Sequence, residues 1–395
     1  MGRPELGAGR FRHHDARAWP CGGPPWIRIG ILCSEGCMRT ISVALMCLFL
    51  ITPTPHAQNR DSDTLDIYVI DVEGGEATLF VAPSGESLLV DTGWPGFDGR
   101  DANRIVAAAK DAGITRIDHL VVTHFHTDHM GGAHQLAERL PIRNYLDHGM
   151  TVDEGERPRA AFERYVTLRG NGTHHTVRPG DSVPVTGLDV RIIASDGAVL
   201  TSPLAGAGQP NPACEGFTFH GADILSRYGD AEDQRSVSAF IGFGQFRTVI
   251  MGDLTWNKEH PLMCPDNKIG AVDLYLVSHH GSDTSGSPAL VEALQPRAAV
   301  MNNGPRKGGG PQTFATLNTI DSLEDLWQNH YAVPVGDANM NERFIANLQD
   351  FASVDDDEAV HLESSNWIHI AARRDGSFTV TNSRNGFSRL YGPRD

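Results

Sequence analysis

The chain has 395 residues, 33 of them basic and 49 acidic, for a formal net charge of −16. That balance argues against a polyanion-binding surface as the dominant feature, so a nucleic-acid partner is disfavoured though left open, and phosphate recognition has to be local. The 40% apolar fraction is ordinary for a soluble globular protein that buries a large core.

Met1 to Cys37 is rich in Gly, Pro and Arg and lacks helical or strand periodicity, which marks it as a non-structural extension. At Met38 the pattern changes to a short basic start, an apolar run from Ile41 to Ile51, and Thr-Pro-Thr-Pro-His-Ala-Gln. Residues 38–57 thus have the outline of a secretory signal peptide cleaved after Ala57. The apolar run is shorter than the roughly twenty residues a membrane span needs. The expectation is an exported, periplasmic or extracellular chain with no membrane span once processed. Cys21, Cys33, Cys37 and Cys47 fall in these leading segments, leaving Cys214 and Cys264, for which a disulfide and two separate buried thiols are both open.

Residues 60–395 read as one domain. Leu65–Asp71 and Ala77–Ala82 predict paired strands, Pro83-Ser84-Gly85 a turn, and Ser87–Asp91 the next strand. Asp101 is expected to cap a helix that runs to Ala112 and stops at Gly113. A buried strand follows over Ile117–Val122, then a helix from about Gly132 to Leu140 and a strand ending at Asp147. Glu154 to Gly229 reads as long loops and short strands, with His174, His175 and His220 as surface residues. Strands return at Ser236–Gly242, Arg247–Met251, Val272–Ser278 and Ala298–Met301. His330 is read on a helix with Trp327 and Tyr331, as a packing residue. Asp355 to Glu358 is an acidic run of solvated-loop character. Trp367–Ala372 and Phe378–Asn382 form a C-terminal hairpin through Asp375-Gly376.

The chemistry concentrates in Thr123 to Gly132, where His124, His126, Asp128 and His129 follow directly on a predicted strand. Imidazoles suit a borderline-soft divalent cation and the carboxylate adds negative charge. From a strand's C-terminal end, His124 and His126 can aim at one point, and Asp128 and His129 at a second. The spacing predicts a two-metal ligand set.

Several ordered motifs carry a family resemblance. Asp71-Val72-Glu73-Gly74-Gly75-Glu76-Ala77, Leu89-Val90-Asp91-Thr92-Gly93, the His cluster, Met251-Gly252-Asp253-Leu254 and Ser278-His279-His280-Gly281-Ser282 stand in that order. Together they resemble the metallo-β-lactamase superfamily and, within it, the metallohydrolase domain of ComEC-type competence proteins. Exported stand-alone relatives of that kind share Asn302-Asn303-Gly304-Pro305-Arg306-Lys307-Gly308. The resemblance implies an α/β fold, the four-layer αββα sandwich, and one or two divalent cations, Zn2+ first and Mn2+ as the alternative. It implies His124 and His126 at the first metal, Asp128, His129 and His280 at the second, and Asp253 bridging, with Asp128 and Asp253 also catalytic. Asp91 is expected to brace a loop and not to ligate.

Many relatives add a histidine between the second motif and the bridging aspartate. Here Gln234 and Ser236 occupy that stretch, so the first position is expected to be a ligand short, and His148 is a candidate to supply a nitrogen or contact substrate. His279, Asn303 and Arg306 are the other substrate-side candidates, with Lys307 and Asn302 beside them. The activity implied is hydrolysis by metal-activated water, on a phosphodiester or another small anionic molecule. Carboxyl-ester, lactone or β-lactam hydrolysis, and metal-dependent binding without turnover, are the alternatives.

Overall fold

The computed structural model describes residues 63–215, 217, 231–348 and 365–394. The extension, the signal segment, His220 and the acidic run at Asp355 to Glu358 lie outside them.

Two large sheets dominate. The first runs, edge to edge, through Ser388–Tyr391 (β20), Phe378–Asn382 (β19), Ile368–Ala372 (β18), Leu65–Val69 (β1), Thr78–Val81 (β2), Ser87–Val90 (β3), Ile117–Val121 (β4), Ile142–Asp147 (β5) and Thr173–Thr176 (β6). The second runs through Ile345–Asn347 (β17), Asp325–His330 (β16), Ala298–Met301 (β15), Leu274–Leu276 (β14), Phe246–Ile250 (β12), Ser238–Phe243 (β11), Asp189–Ser195 (β8) and Ser182–Val183 (β7). Ala198–Val199 (β9) pairs with β8, and Gln209–Pro210 (β10) with Asp266–Asn267 (β13).

Side chains on a strand alternate between its two faces, and here both faces are covered. Leu65, Ile67 and Val69 of β1 pack toward β8, β11 and β12 in a core between the sheets. Tyr68 of the same strand, with Leu79 and Leu89, packs outward against α1 (Arg100–Asp111), α3 (Ala133–Ala137) and α4 (Glu156–Arg169). The second sheet's outer face meets α5 (Trp256–Met263), α6 (Pro288–Leu294) and α7 (Pro311–Leu317). The layers are therefore helix, sheet, sheet, helix, as the αββα expectation has it. Burying a side chain such as Ile67 or Phe80 stabilises the fold by about 1.5–3 kcal/mol.

Several local expectations need correction. α1 is capped at Gly99, and Asp101 lies inside its first turn, where its carboxylate accepts the Trp94 N–H at 2.7 Å and ties the preceding loop to the helix. Glu156–Arg169 is a 14-residue helix within the stretch read as loops. Phe162, Tyr165 and Leu168, with Ala161 and Val166 beside them, form its packing stripe, which Pro158 and the charged residues around it obscure in the sequence. Asp147 fixes that helix, accepting from Tyr165 Oη at 3.0 Å and Arg169 Nη1 at 2.6 Å. His174 lies on β6, its Nε2 2.9 Å from Asp147. His330 ends β16 and is not helical, and its Nε2 lies 2.8 Å from Asp71 Oδ1. The C-terminal hairpin gains β20 and extends the first sheet by pairing β18 with β1. Cys214 and Cys264 are joined as a disulfide.

Parallel neighbours β3, β4 and β5 in one sheet, and β12, β14 and β15 in the other, send their C-terminal ends to one edge of the sandwich. Loops that leave parallel strands together are where α/β proteins assemble sites.

Candidate metal centre

The β4 end delivers Thr123 to His126, and the short helix Thr127–Met130 (α2), capped at His126, carries Asp128 and His129. The β12 end delivers Asp253. Beyond β14 the chain turns through Ser278–Gly281, where His279 (φ 54°, ψ 43°) and His280 (φ 54°, ψ 17°) both adopt left-handed backbone. That conformation disfavours side chains with a Cβ and persists only where surrounding packing enforces it. Here it turns two consecutive imidazoles toward the cleft. Gly308 supports the turn: a Cβ there would stand 2.0 Å from the His280 carbonyl oxygen, so only glycine lets the loop close over it.

Two donor sets converge. In the first, Asp233 Oδ1 lies 2.9 Å from His126 Nδ1 and 3.4 Å from His124 Nε2, and those two nitrogens are 2.9 Å apart. In the second, Asp128 Oδ2 is 3.3 Å from both His129 Nε2 and His280 Nε2, which are themselves 3.3 Å apart. Asp253 stands between the sets. Its Oδ2 is 3.3 Å from His129 Nε2 and 3.9 Å from His124 Nε2, and its Oδ1 is 3.5 Å from His280 Nε2. His279 Nε2 approaches Asp253 Oδ2 at 3.2 Å.

The residues fit divalent cations. Asp233 Oδ1 and Asp253 Oδ1 are buried and receive no well-directed hydrogen bond, while imidazole nitrogens crowd toward them. Burial opposes charge on Asp128 and Asp253, yet the facing imidazoles, His129 first, hold both carboxyls well below their ordinary range. Burial pushes the Asp233 carboxyl up, with repulsion from Asp253 adding to it. Burial and the neighbouring His129 and His126 push His124 far down, which suits a neutral ligand. His129 is raised because Asp253, Asp128 and Asp91 outweigh its burial. Three carboxylates held this close in a dry pocket call for positive charge at the point where the lone pairs meet.

The supporting contacts differ between the sets. Asp91, with φ 60°, accepts the Thr123 N–H at 2.7 Å and meets His129 Nδ1 at 2.7 Å, a carboxylate that orients a ligand imidazole. Ser236 Oγ lies 3.4 Å from His124 Nδ1 and accepts the Asp253 N–H at 3.1 Å, so the residue found where relatives place histidine braces two ligand groups. The Asp71–Ala77 loop buttresses Asp128 through Glu76 N to Asp128 O at 3.1 Å.

Of the predicted site residues, the structure brings together His124, His126, Asp128, His129, Asp253, His280 and His279. His148 is turned away: its Nε2 meets Glu232 Oε1 at 2.8 Å and its ring packs on Phe125 at 4.4 Å. Asn303 is fully buried and donates to Gly304 O at 3.0 Å and His330 O at 2.9 Å, contacts that brace the loop. Arg306 is exposed, and its neighbour Lys307 places Nζ on the Asp128 carboxylate, 4.9 Å from the Trp94 ring centroid. Asp233 joins His124 and His126 in a group that could hold a cation, so the geometry offers the first position a third donor. The sequence signal for it is a carboxylate three residues before Ser236, in a stretch where the family pattern has histidine.

An αββα sandwich that gathers two histidine–carboxylate sets around a shared aspartate defines the class, a metal-dependent hydrolase. The chain belongs to the metallo-beta-lactamase superfamily, whose family model matches residues 71–301. It is similar, at 23% identity over 255 residues, to ComE operon protein 3 of Bacillus subtilis (strain 168), a match covering 60% of this chain and 28% of that protein. The chain thus spans under a third of that relative's length. Similar solved structures include Tm1679, a metal-dependent hydrolase of the beta-lactamase superfamily (TM-score 0.40, 12% identity, 68% of this chain and 97% of that one). CmlA, a diiron beta-hydroxylase from Streptomyces venezuelae, is another (TM-score 0.35, 18% identity, 61% of this chain and 44% of that one).

Proposed function

We propose that this chain is an exported hydrolase that uses metal-activated water on a phosphodiester or other small anionic substrate. His124, His126 and Asp233 would hold one cation, Asp128, His129 and His280 a second, and Asp253 both. Each set offers two imidazoles and two carboxylates, a mixture that suits Zn2+ and also Mn2+. When bound, such cations supply Lewis acidity and bring the ionisation of water toward neutral pH.

The observation that carries the anionic-substrate reading is Lys307, a partly exposed ammonium group at the rim of the second set, beside Asp128 and Trp94. A cation there is placed to take an anionic oxygen of the substrate, which a neutral ester does not offer. His279 has Nδ1 held by Ser285 Oγ at 3.1 Å and Thr284 Oγ1 at 3.2 Å, which turns Nε2 to the centre, 3.2 Å from Asp253 Oδ2 and grouped with Asp233. There it is placed to donate a proton or hydrogen bond to a leaving oxygen. The resemblance to ComEC-type domains favours the phosphodiester. Export is supported by the signal-like segment and by the Cys214–Cys264 disulfide, a bond that persists in oxidising compartments.

Metal content of the purified protein, with turnover of bis-p-nitrophenyl phosphate against p-nitrophenyl acetate, nitrocefin and a lactone panel, tests the reading. Metal-dependent diester cleavage lost in Asp253→Ala supports it. Turnover of esters alone would move the function to carboxyl-ester, lactone or β-lactam hydrolysis, and bound metal without turnover to a binding role. N-terminal sequencing of the natural product should begin just after Ala57 if the chain is exported as proposed.

A further inference from the structure

Glu232 immediately precedes Asp233, and its side chain is fully buried, where an unpaired carboxylate would be costly. Among the described residues four donors converge on it. Oε1 accepts the Phe125 N–H at 3.0 Å and faces His148 Nε2 at 2.8 Å. Oε2 accepts Thr151 Oγ1 at 3.0 Å and the Val152 N–H at 2.8 Å. These donors keep the carboxylate ionised despite its burial, with its pKa lowered by His148 and by the amides of Val152 and Phe125.

Phe125 sits between the two imidazoles of the first set. The peptide that separates His124 from His126 is thus pinned to the residue next to Asp233, the third member of the set, across 107 residues of sequence. The same carboxylate anchors the loop at Thr151 and Val152, whose next residue, Asp153, brings Oδ2 within 3.8 Å of His126 Nε2. No comparable contact runs from Glu232 to Asp128, His129 or His280 among the described residues. The second set has Asp91 instead.

We infer that Glu232 is a positioning residue for the first cation position alone, fixing His124, His126 and Asp233 at one point by clamping the Phe125 amide. This rests on the two-position reading of the centre and not on the class of substrate. A carboxylate accepting from a backbone N–H sets the peptide's height, and through it the aim of both flanking imidazoles. Ligand supports of this kind are typically worth about 10–100-fold in metal affinity.

The test is a Zn2+ titration of the metal-stripped full chain against a chromophoric chelator, for the wild type, Glu232→Gln and Asp128→Asn. The wild type should take two equivalents. Glu232→Gln should keep one with unchanged affinity and bind the other on the order of 10–100-fold more weakly. Asp128→Asn should lose the complementary equivalent. Diester turnover by Glu232→Gln should recover when Zn2+ is raised, which a general loss of structure would not do. Two wild-type affinities in Glu232→Gln, or equal weakening of both, would overturn the inference. A wild type that takes a single equivalent would instead overturn the two-position reading, and turnover plays no part in that outcome. Should Glu232→Gln fail to fold, His148→Ala removes the donor that shares Oε1 with the Phe125 amide and so loosens that clamp. It should weaken the same single equivalent by a few fold, and wild-type affinity there would refute the proposal.

Discussion

The two donor sets have the same chemistry, two imidazoles and two carboxylates each, but they are built from different materials. In the second set, Asp128 and His129 are neighbours on α2, His129 is fully buried, and Asp91 grips its far nitrogen directly. In the first, His126 is 24% exposed along its side chain, and Asp233 arrives from a separate segment, a short 3-10 turn over Asp233–Arg235. Its carboxylate support acts through the Phe125 amide, and hydroxyls, Thr123 Oγ1 at 3.1 Å and Ser236 Oγ at 3.4 Å, are what brace the His124 imidazole. Preorganised ligands lose less freedom on binding, so the second position should be the tighter and the slower to exchange.

Removing what the positions share should have the largest effect. Asp253→Ala should abolish binding of at least one equivalent, weaken the other, and lower diester turnover by on the order of 10^3-fold. That corresponds to several kcal/mol of transition-state stabilisation at about 1.4 kcal/mol per decade. Turnover within a few fold of wild type would deny the bridge.

Separating the positions comes next. Asp233→Ala and Asp128→Ala should each leave about one equivalent by elemental analysis, with the metal left in Asp233→Ala the harder to strip with a chelator. Equal chelator resistance in the two variants would erase the asymmetry.

Asp91→Asn addresses the brace of the second set without removing a ligand. It should weaken only that equivalent, by about 10–100-fold, seen in the same chelator competition. Loss confined to the other equivalent would show that the supports have been paired wrongly.

The smallest effect is expected at Lys307. In Lys307→Met, KM for bis-p-nitrophenyl phosphate should rise roughly 10-fold, the size of one lost charge-assisted hydrogen bond, while p-nitrophenyl acetate hydrolysis stays nearly unchanged. An equal change for both substrates would remove Lys307 from substrate recognition. A fall in metal content would assign it to the cation position instead.

Much of this centre was legible because its pieces are local or stereotyped. His124 to His129 declare themselves within six residues, and Asp253 and His280 follow from the ordered motifs that resemble the superfamily's. Asp233 does not, because a carboxylate near a turn is ordinary in sequence and joins a group that could hold a cation only when the turn is folded against β4. His148 misled for the opposite reason. A histidine at a strand end is chemically competent, but Glu232, 84 residues away, claims its nitrogen. Asn303 and Lys307 show the same dependence: neighbours on a glycine-rich loop, one is buried against the His330 carbonyl and the other reaches Asp128. α4 is obscured in the same way, because its packing stripe lies among Gly155, Pro158 and a run of charged residues.

By itself the sequence determined the alternation of strands and helices and the His124 to His129 cluster, since periodicity and short-range motifs are properties of the chain, while the resemblance carried by its ordered motifs implied the αββα layering and added Asp253 and His280. Which side chains share a point in space was decided by the tertiary structure. A ligand set spanning more than 150 residues exists only after two sheets have stacked and brought their strand ends to one edge. The contacts that aim it, Asp91 on His129 and Glu232 on the Phe125 amide, are set by distances of a few ångströms that no local pattern encodes.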